Sequence, residues 1–368
     1  MNDWHRDVSR RRFLQLSAGA GAAVALGGVA AACTTGSGKK TGTFNWMTWS
    51  DHYYDTQLDE IKKATDIGTN ISELADNAEG FAKLKEVTGQ LDMLSGDALW
   101  VPKNFDEGLV EAFDINSLAV SKQLYSIARE FEIWTKPAGY LGYPFGWSPI
   151  QIAYNPKFVS PAPDSWEVLL DPKYKGRIVV ENQPVEVVAY MAKLAGIKDP
   201  YNMTDAELAQ AKEALLRLKP NILKFAQQNT DTVAALVSEE AWLATSNLGA
   251  EDRVKDAGGS DVVTFIPKEG TIGWMDAEMI VKGGKNHDLI MPFLELAEQK
   301  EYIAENFIKY GRPLFNEGAY KILVDKGEQE RADRYLYNKP ETVLTMTLKG
   351  PGVSTDAAIR VFNEVFGA

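Results

Sequence analysis

From Thr41 to the C-terminus, short apolar runs alternate with amphipathic helical stretches, and this alternation restricts the chain to an α/β architecture. Residues 44–49 read as a strand. Tyr54, Leu58 and Ile61 then recur at helical spacing, as do Phe81, Leu84 and Val87. Residues 91–95, 149–154, 178–180, 241–245, 261–266 and 274–281 are further strand candidates. Thr204-Asp205-Ala206-Glu207 spells a capping box, in which the hydroxyl and the carboxylate satisfy orphan amides, and it predicts a helix over 206–218. Beyond 281 the chain reads as mainly helical, with Met291, Leu294 and Leu296 on one apolar stretch. No internal repeat is present.

The N-terminus has a different composition. Ser9-Arg10-Arg11-Arg12-Phe13-Leu14-Gln15 puts positive charge before an apolar pair, and residues 16–32 follow without a charged group. That is a charged n-region and an apolar h-region. Its Ala and Gly content makes a poor permanent span of a bilayer about 30 Å thick. The segment resembles a twin-arginine export signal, with an ordinary secretory signal as the alternative. Cys33, the only cysteine, ends the h-region in Ala30-Ala31-Ala32-Cys33 and precedes a polar Gly/Ser-containing tether. This resembles a lipoprotein cleavage site, although Ala30 stands where Leu or Val is usual. The alternative is Ala-x-Ala cleavage beside an incidental cysteine. The expected location is the periplasm or the outer face of the cell membrane, with a lipid anchor through Cys33.

A lone cysteine excludes an intrachain disulfide, so an exported domain must draw its stability from its core. Removing the first 32 of 368 residues leaves 336, more than a single core usually organises, and two lobes are expected. The leader carries four arginines against two acids, so the formal net charge of −12 becomes −14 without it. That sign argues against a nucleic-acid partner.

The inventory for catalysis is thin. Two histidines remain after the leader, His52 and His287, too few and too separated for a zinc site. No nucleophile elbow, phosphate loop or dinucleotide glycine pattern occurs. Neither an enzyme nor a cofactor is expected. Instead, aromatic and acidic residues fall where strands end. Trp49, Asp51 and His52 close the first strand, Asp97 follows the 92–95 run, Glu186 follows 178–180, and Trp274 and Asp276 sit in a late strand. In open α/β sheets the ligand crevice lies at the carboxyl ends of strands. Carboxylates there can hold a protonated amine while aromatic faces cover its methylenes, each ring being worth about 0.5–2 kcal/mol. Against this, a Trp at a strand end is commonly core, and an Asp near a turn is commonly a solvated cap.

At these residues the chain resembles the spermidine- and putrescine-binding periplasmic proteins of ABC importers. The resemblance runs through Thr48-Trp49-Ser50-Asp51-His52-Tyr53, Asp164-Ser165-Trp166-Glu167, Pro172-Lys173-Tyr174-Lys175-Gly176 and Leu218-Lys219-Pro220-Asn221. Its most specific stretch is Pro267-Lys268-Glu269-Gly270 followed by Trp274-Met275-Asp276. It implies a two-lobed, hinged type II periplasmic binding protein fold with the ligand cleft between lobes. Residues 42–146 with about 276–320 would form one lobe, and 147–275 with about 321–368 the other. Gly142-Tyr143-Pro144-Phe145-Gly146-Trp147 is the expected first crossing. The implied partners are a small cationic amine and a membrane permease, and a monomer is expected.

The resemblance matches Trp49, Asp51, Glu186, Trp274 and Asp276 to ligand-contacting positions. His52 takes the place of a usual tyrosine, Asp97 of a serine, and Leu99 of a common aromatic residue. Ser246-Asn247 replaces a pocket tryptophan, and Arg312 stands where a tyrosine is usual. An arginine there, unless paired with an acid, opposes a pure polyamine and favours a ligand that also carries a carboxylate. Ligands derived from amino acids, or opine-like compounds, are the second expectation.

Overall fold

The computed structural model describes residues 40–87 and 89–367. The expected export leader, Cys33 and the expected tether up to residue 39 lie outside the described residues. The strands, in chain order, are β1 (Gly42–Thr48), β2 (Ile67–Glu73), β3 (Met93–Asp97), β4 (Val110–Glu111), the small hairpin β5 (Thr135–Lys136) and β6 (Gly139–Tyr140), and β7 (Tyr143–Pro149). They continue as β8 (Gln151–Tyr154), β9 (Ile178–Glu181), β10 (Ile222–Ala226), β11 (Leu243–Ser246), β12 (Val263–Phe265), β13 (Ile272–Val281) and β14 (Thr347–Leu348).

Two sheets carry the fold. The first runs β14-β13-β3-β1-β2, with β4 and β7 also pairing β13; the second runs β10-β9-β11-β8-β12. Strand β1 is parallel to both β2 and β3, whereas β13 is antiparallel to β3 and β7. In the second sheet β9 is parallel to β10 and β11, and β8 is antiparallel to β11 and β12. This mixture of crossovers and antiparallel returns fits the α/β alternation of the sequence.

The central strands β8, β9 and β11 of the second sheet are buried along their whole length because the sheet is covered on both faces. Side chains two apart along a strand share a face. Accordingly Ile178 and Val180 pack with the helices Pro184–Leu194, Asp205–Leu218 and Thr355–Phe366, while Val179 joins Ala153, Ala244, Ala226 and Val254 on the other side. The expected capping box is present: Thr204 Oγ accepts from the Glu207 amide and the Glu207 carboxylate accepts from the Thr204 amide. Trp166, fully buried, stacks on Tyr190 at 4.8 Å between centroids.

The expected crossing at 142–147 is instead strand. Tyr143–Pro149 is buried along its whole length and pairs with β13. Its proline and glycine are accommodated by an irregularity: Asp276 lies opposite Gly146 and Ala277 opposite Pro144. Proline is tolerated in a strand at such a bulge or at an edge. The chain leaves the first sheet at Ile150, between β7 and β8, so the single strand expected over 149–154 is divided between two sheets. The boundaries expected at 146/147 and 275/276 both fall inside strands of the first sheet.

Alongside β7 runs the segment 311–316. Trp147 N donates to Pro313 O at 3.2 Å and Phe315 N to Phe145 O at 2.8 Å. Gly146 is required here by close approach, since a Cβ would sit 2.9 Å from Leu314 Cδ2 and 3.1 Å from Pro313 O. This contact delivers Arg312 to β13.

Candidate functional site

The ends of β1 and β3 meet the middle of β13. After β1 the turn Trp49-Ser50-Asp51-His52 closes with His52 N donating to Trp49 O at 3.1 Å. Asp97 ends β3 and lies directly opposite Asp276 of β13. Trp274, Asp276 and Glu278 alternate along β13 and so share a face.

His52 is the centre of that face. It is buried, with Nδ1 2.6 Å from a Glu278 oxygen and Nε2 3.0 Å from Asp276 Oδ2. Its ring stacks on Phe145 at 4.1 Å between centroids. Burial alone drives the imidazole toward its neutral form, but the Glu278 charge and the hydrogen bonds to both carboxylates more than reverse this, raising its pKa to about 9. His52 is therefore an imidazolium at neutral pH, donating from both nitrogens. The far oxygen of Glu278 accepts from Ser95 Oγ at 2.6 Å and Trp46 Nε1 at 3.1 Å, so this carboxylate is fully engaged.

Asp97 and Asp276 divide their roles. Burial and the charge of Asp276 push Asp97 well above the usual carboxylate range. Burial pushes Asp276 upward too, but the hydrogen bond and charge of His52, the charge of Arg312 and the hydrogen bond from Asp97 hold it below that range. The proton thus resides on Asp97 and the charge on Asp276.

Arg312 is buried at 4% exposure and joins the same cluster. Its Nε lies 3.1 Å from Asp51 Oδ2, Nη1 3.7 Å from Asp276 Oδ2, and Nη2 donates to the Asp51 carbonyl at 2.7 Å. The guanidinium lies over the rings of Phe145 and Trp274, 5.1 and 5.6 Å from their centroids.

From the second sheet, Asn247 connects this cluster to β9. It accepts from Trp274 Nε1 at 2.9 Å and donates to Glu181 Oε1 at 3.1 Å. Ser246, which ends β11, is buried, and its hydroxyl has no partner among the described residues. Glu186 sits in the first turn of Pro184–Leu194. Burial raises its pKa against the opposing charge of Lys349, which also acts on Asp97. Lys349 Nζ donates to Gln183 Oε1 at 2.7 Å at the head of that helix.

Of the sequence candidates, contacts join Asp51, His52, Trp274 and Asp276, with Asp97 beside Asp276. The charge of Lys349 acts on both Glu186 and Asp97, and Trp49 and Ser246 make no side-chain hydrogen bond among the described residues. Sequence reasoning missed Glu278, Phe145, Glu181 and Lys349. Glu278 had a signal, since it lies two residues beyond Asp276 on a strand; Lys349 had none. The described residues contain no cluster of metal-ligating side chains, and His287 is exposed at the surface. No helix among them is long and apolar enough to cross a membrane.

Two α/β sheets joined by crossing segments, with charged and aromatic side chains gathered at strand ends, define the type II class of solute-capturing proteins. The family model for bacterial extracellular solute-binding proteins matches residues 91–332, and the chain belongs to that family. Among curated relatives, the spermidine/putrescine-binding periplasmic protein of Escherichia coli (strain K12) is 26% identical over 329 residues, covering 87% of this chain and 90% of that protein. The putrescine-binding periplasmic protein PotF of the same organism is 26% identical over 315 residues, covering 81% and 82%. A putative spermidine/putrescine ABC transporter structure from Listeria monocytogenes superposes with a TM-score of 0.76 at 20% identity, covering 88% of this chain and 97% of that one. These comparisons agree with the resemblance read from the sequence and with the two-lobed fold it implied.

Proposed function

We propose that this chain is the substrate-capturing component of an ABC importer, that it binds a small cationic amine outside the inner membrane, and that it hands the ligand to a membrane permease. The observation that carries this reading is the convergence of Asp51, Asp97, Asp276 and Trp274 from the first sheet with Asn247 and Glu181 from the second. Relatives whose names specify spermidine and putrescine, matched over most of their length, support the amine class. The candidate ligand-binding set is Trp49, Asp51, His52, Asp97, Glu186, Ser246, Trp274 and Asp276.

The lobes divide at Ile150 and between residues 267 and 271, where the chain passes from one sheet to the other, with Thr355–Phe366 packed on the second lobe. Closure follows when the ligand touches both sides, because a ligand shifts a conformational equilibrium only by its differential affinity for the two states. No covalent step is involved. The leader directs twin-arginine export to the periplasm, Cys33 carries a lipid anchor, and the protein works as a monomer without nucleic acid.

The test is calorimetric titration of the exported form with putrescine, spermidine, agmatine and basic amino acids, followed by mass spectrometry of the recovered ligand. Saturable binding with unchanged ligand is expected. A chemically altered ligand would indicate catalysis, and absence of binding across the panel would refute the amine reading.

A further inference from the structure

Beside the charged cluster the two lobes also touch through side chains, away from the segments where the chain crosses. The helix Ala250–Asp256 follows β11 and belongs to the lobe of the second sheet, where Ala250 and Val254 are buried with Ala153, Val179 and Ala244. The helix Gln329–Arg334 belongs to the lobe of the first sheet, where Ala332 and Tyr335 are buried with Phe145, Phe307 and Leu314. Asp252 spans the two. Its Oδ2 lies 2.7 Å from Arg331 Nε and its Oδ1 2.8 Å from Arg334 Nη2, so both carboxylate oxygens are engaged by guanidinium groups of one helix.

The contact is supported on each side. Arg331 is anchored in its own lobe, where Nη1 donates to Ile308 O at 2.9 Å and the guanidinium lies 5.4 Å from the Phe307 ring centroid. Next to it the two backbones approach closely: a Cβ on Gly249, whose φ is 88°, would stand 2.9 Å from Gly311 O. Leu248 is buried among the first-lobe residues Phe145, Phe307 and Leu314, although it follows a strand of the second sheet. The same two segments carry site residues. Asn247, which accepts from Trp274 Nε1, precedes Leu248, and Arg312, which pairs with Asp51, follows Gly311.

Solvent competition and side-chain ordering leave most surface ion pairs nearly worthless. Asp252 and Arg331 are 19% and 22% exposed and already oriented, so their pair retains more of its attraction, whereas Arg334 at 46% adds less.

We infer that Asp252, Arg331 and Arg334 form a clasp that holds the lobes together at the edge of the cleft, acting as positioning residues for ligand capture without touching the ligand. This rests on the lobe-closure reading above and deepens it, because part of the free energy of closure then comes from the protein itself and the ligand supplies the remainder.

Spin labels on K63C, in the first-lobe helix Asp55–Thr65, and E213C, in the second-lobe helix Asp205–Leu218, measure the spacing of the lobes. A C33S background removes the only other cysteine. Without ligand, D252N should raise the ratio of long to short spacings about threefold to tenfold. R331Q/R334Q should do the same, and the triple variant should go no further, since the three residues form one unit. Putrescine or spermidine, titrated into unlabelled protein, should bind D252N more weakly by a similar factor, chiefly through faster release. Identical spacings in wild type and D252N would overturn the clasp, as would a triple variant whose effect is the sum of the other two. A lowered melting temperature with unchanged spacing would likewise overturn it and assign the contact to fixed packing. Failure of both amines and of the wider panel to bind would overturn the amine reading but not the clasp, which the spacings decide on their own.

Discussion

The pairing of His52 with two buried carboxylates predicts a specific dependence of stability on pH. Free histidine titrates near 6.5, whereas His52 in the folded protein titrates at about 9. Between those values the native state holds a proton that the unfolded chain has released, so stability falls as pH rises. Each tenfold change in proton affinity is worth about 1.36 kcal/mol, so this residue contributes about 3 kcal/mol at pH about 6, about 2 kcal/mol at pH about 7.5, and under about 0.5 kcal/mol at pH about 9.5. The perturbation is H52Q, whose amide fills similar space and hydrogen-bonds but does not titrate. Urea unfolding of the chain from residue 40 onward, with and without the substitution, at those three pH values gives the difference in stability. That difference should shrink by about 3 kcal/mol from the lowest to the highest pH. A difference that stays constant would refute the assignment of a native imidazolium to His52.

Two further outcomes follow from the same cluster and from its supporting strand. Because Asp97 carries the proton and Asp276 the charge, D97N should be nearly isosteric and change stability by less than about 1 kcal/mol at neutral pH. D276N should cost about 3–5 kcal/mol, since it leaves the imidazolium and guanidinium short of a counter-charge; equal losses in thermal unfolding would overturn the proton placement. G146A forces a Cβ against Leu314 and Pro313 O, and overpacking of this kind costs about 1–3 kcal/mol. As the 311–316 segment is displaced, ligand affinity should fall together with the melting temperature, and a loss of stability alone would show that this contact does not position Arg312.

Much of this protein was legible in its sequence because its signals are local. The capping box at Thr204 fixed a helix start through two hydrogen bonds within four residues. The apolar runs at 178–180 and 241–245 declared the strands β9 and β11. The placement of acids and indoles at strand ends identified Asp51, His52, Trp274 and Asp276 as neighbours through the topology of α/β sheets. The same logic failed at 142–147, where Pro144 and Gly146 read as a connection. Only the partner strand β13, some 130 residues later, supplies the bulge that lets them remain within a sheet.

What the tertiary structure alone decided is the charge state of the site. Neither the identity of Asp97 nor that of Asp276 reveals which one holds a proton. That outcome depends on the distances to His52 and Arg312, and Coulomb energies vary with separation and burial rather than with sequence position. Glu278 and Lys349 entered the network through folding for the same reason. Sequence specified the charged groups available, while packing determined which are spent on one another and which buried oxygens, such as Glu181 Oε2 and Asp276 Oδ1, keep no hydrogen-bond partner among the described residues.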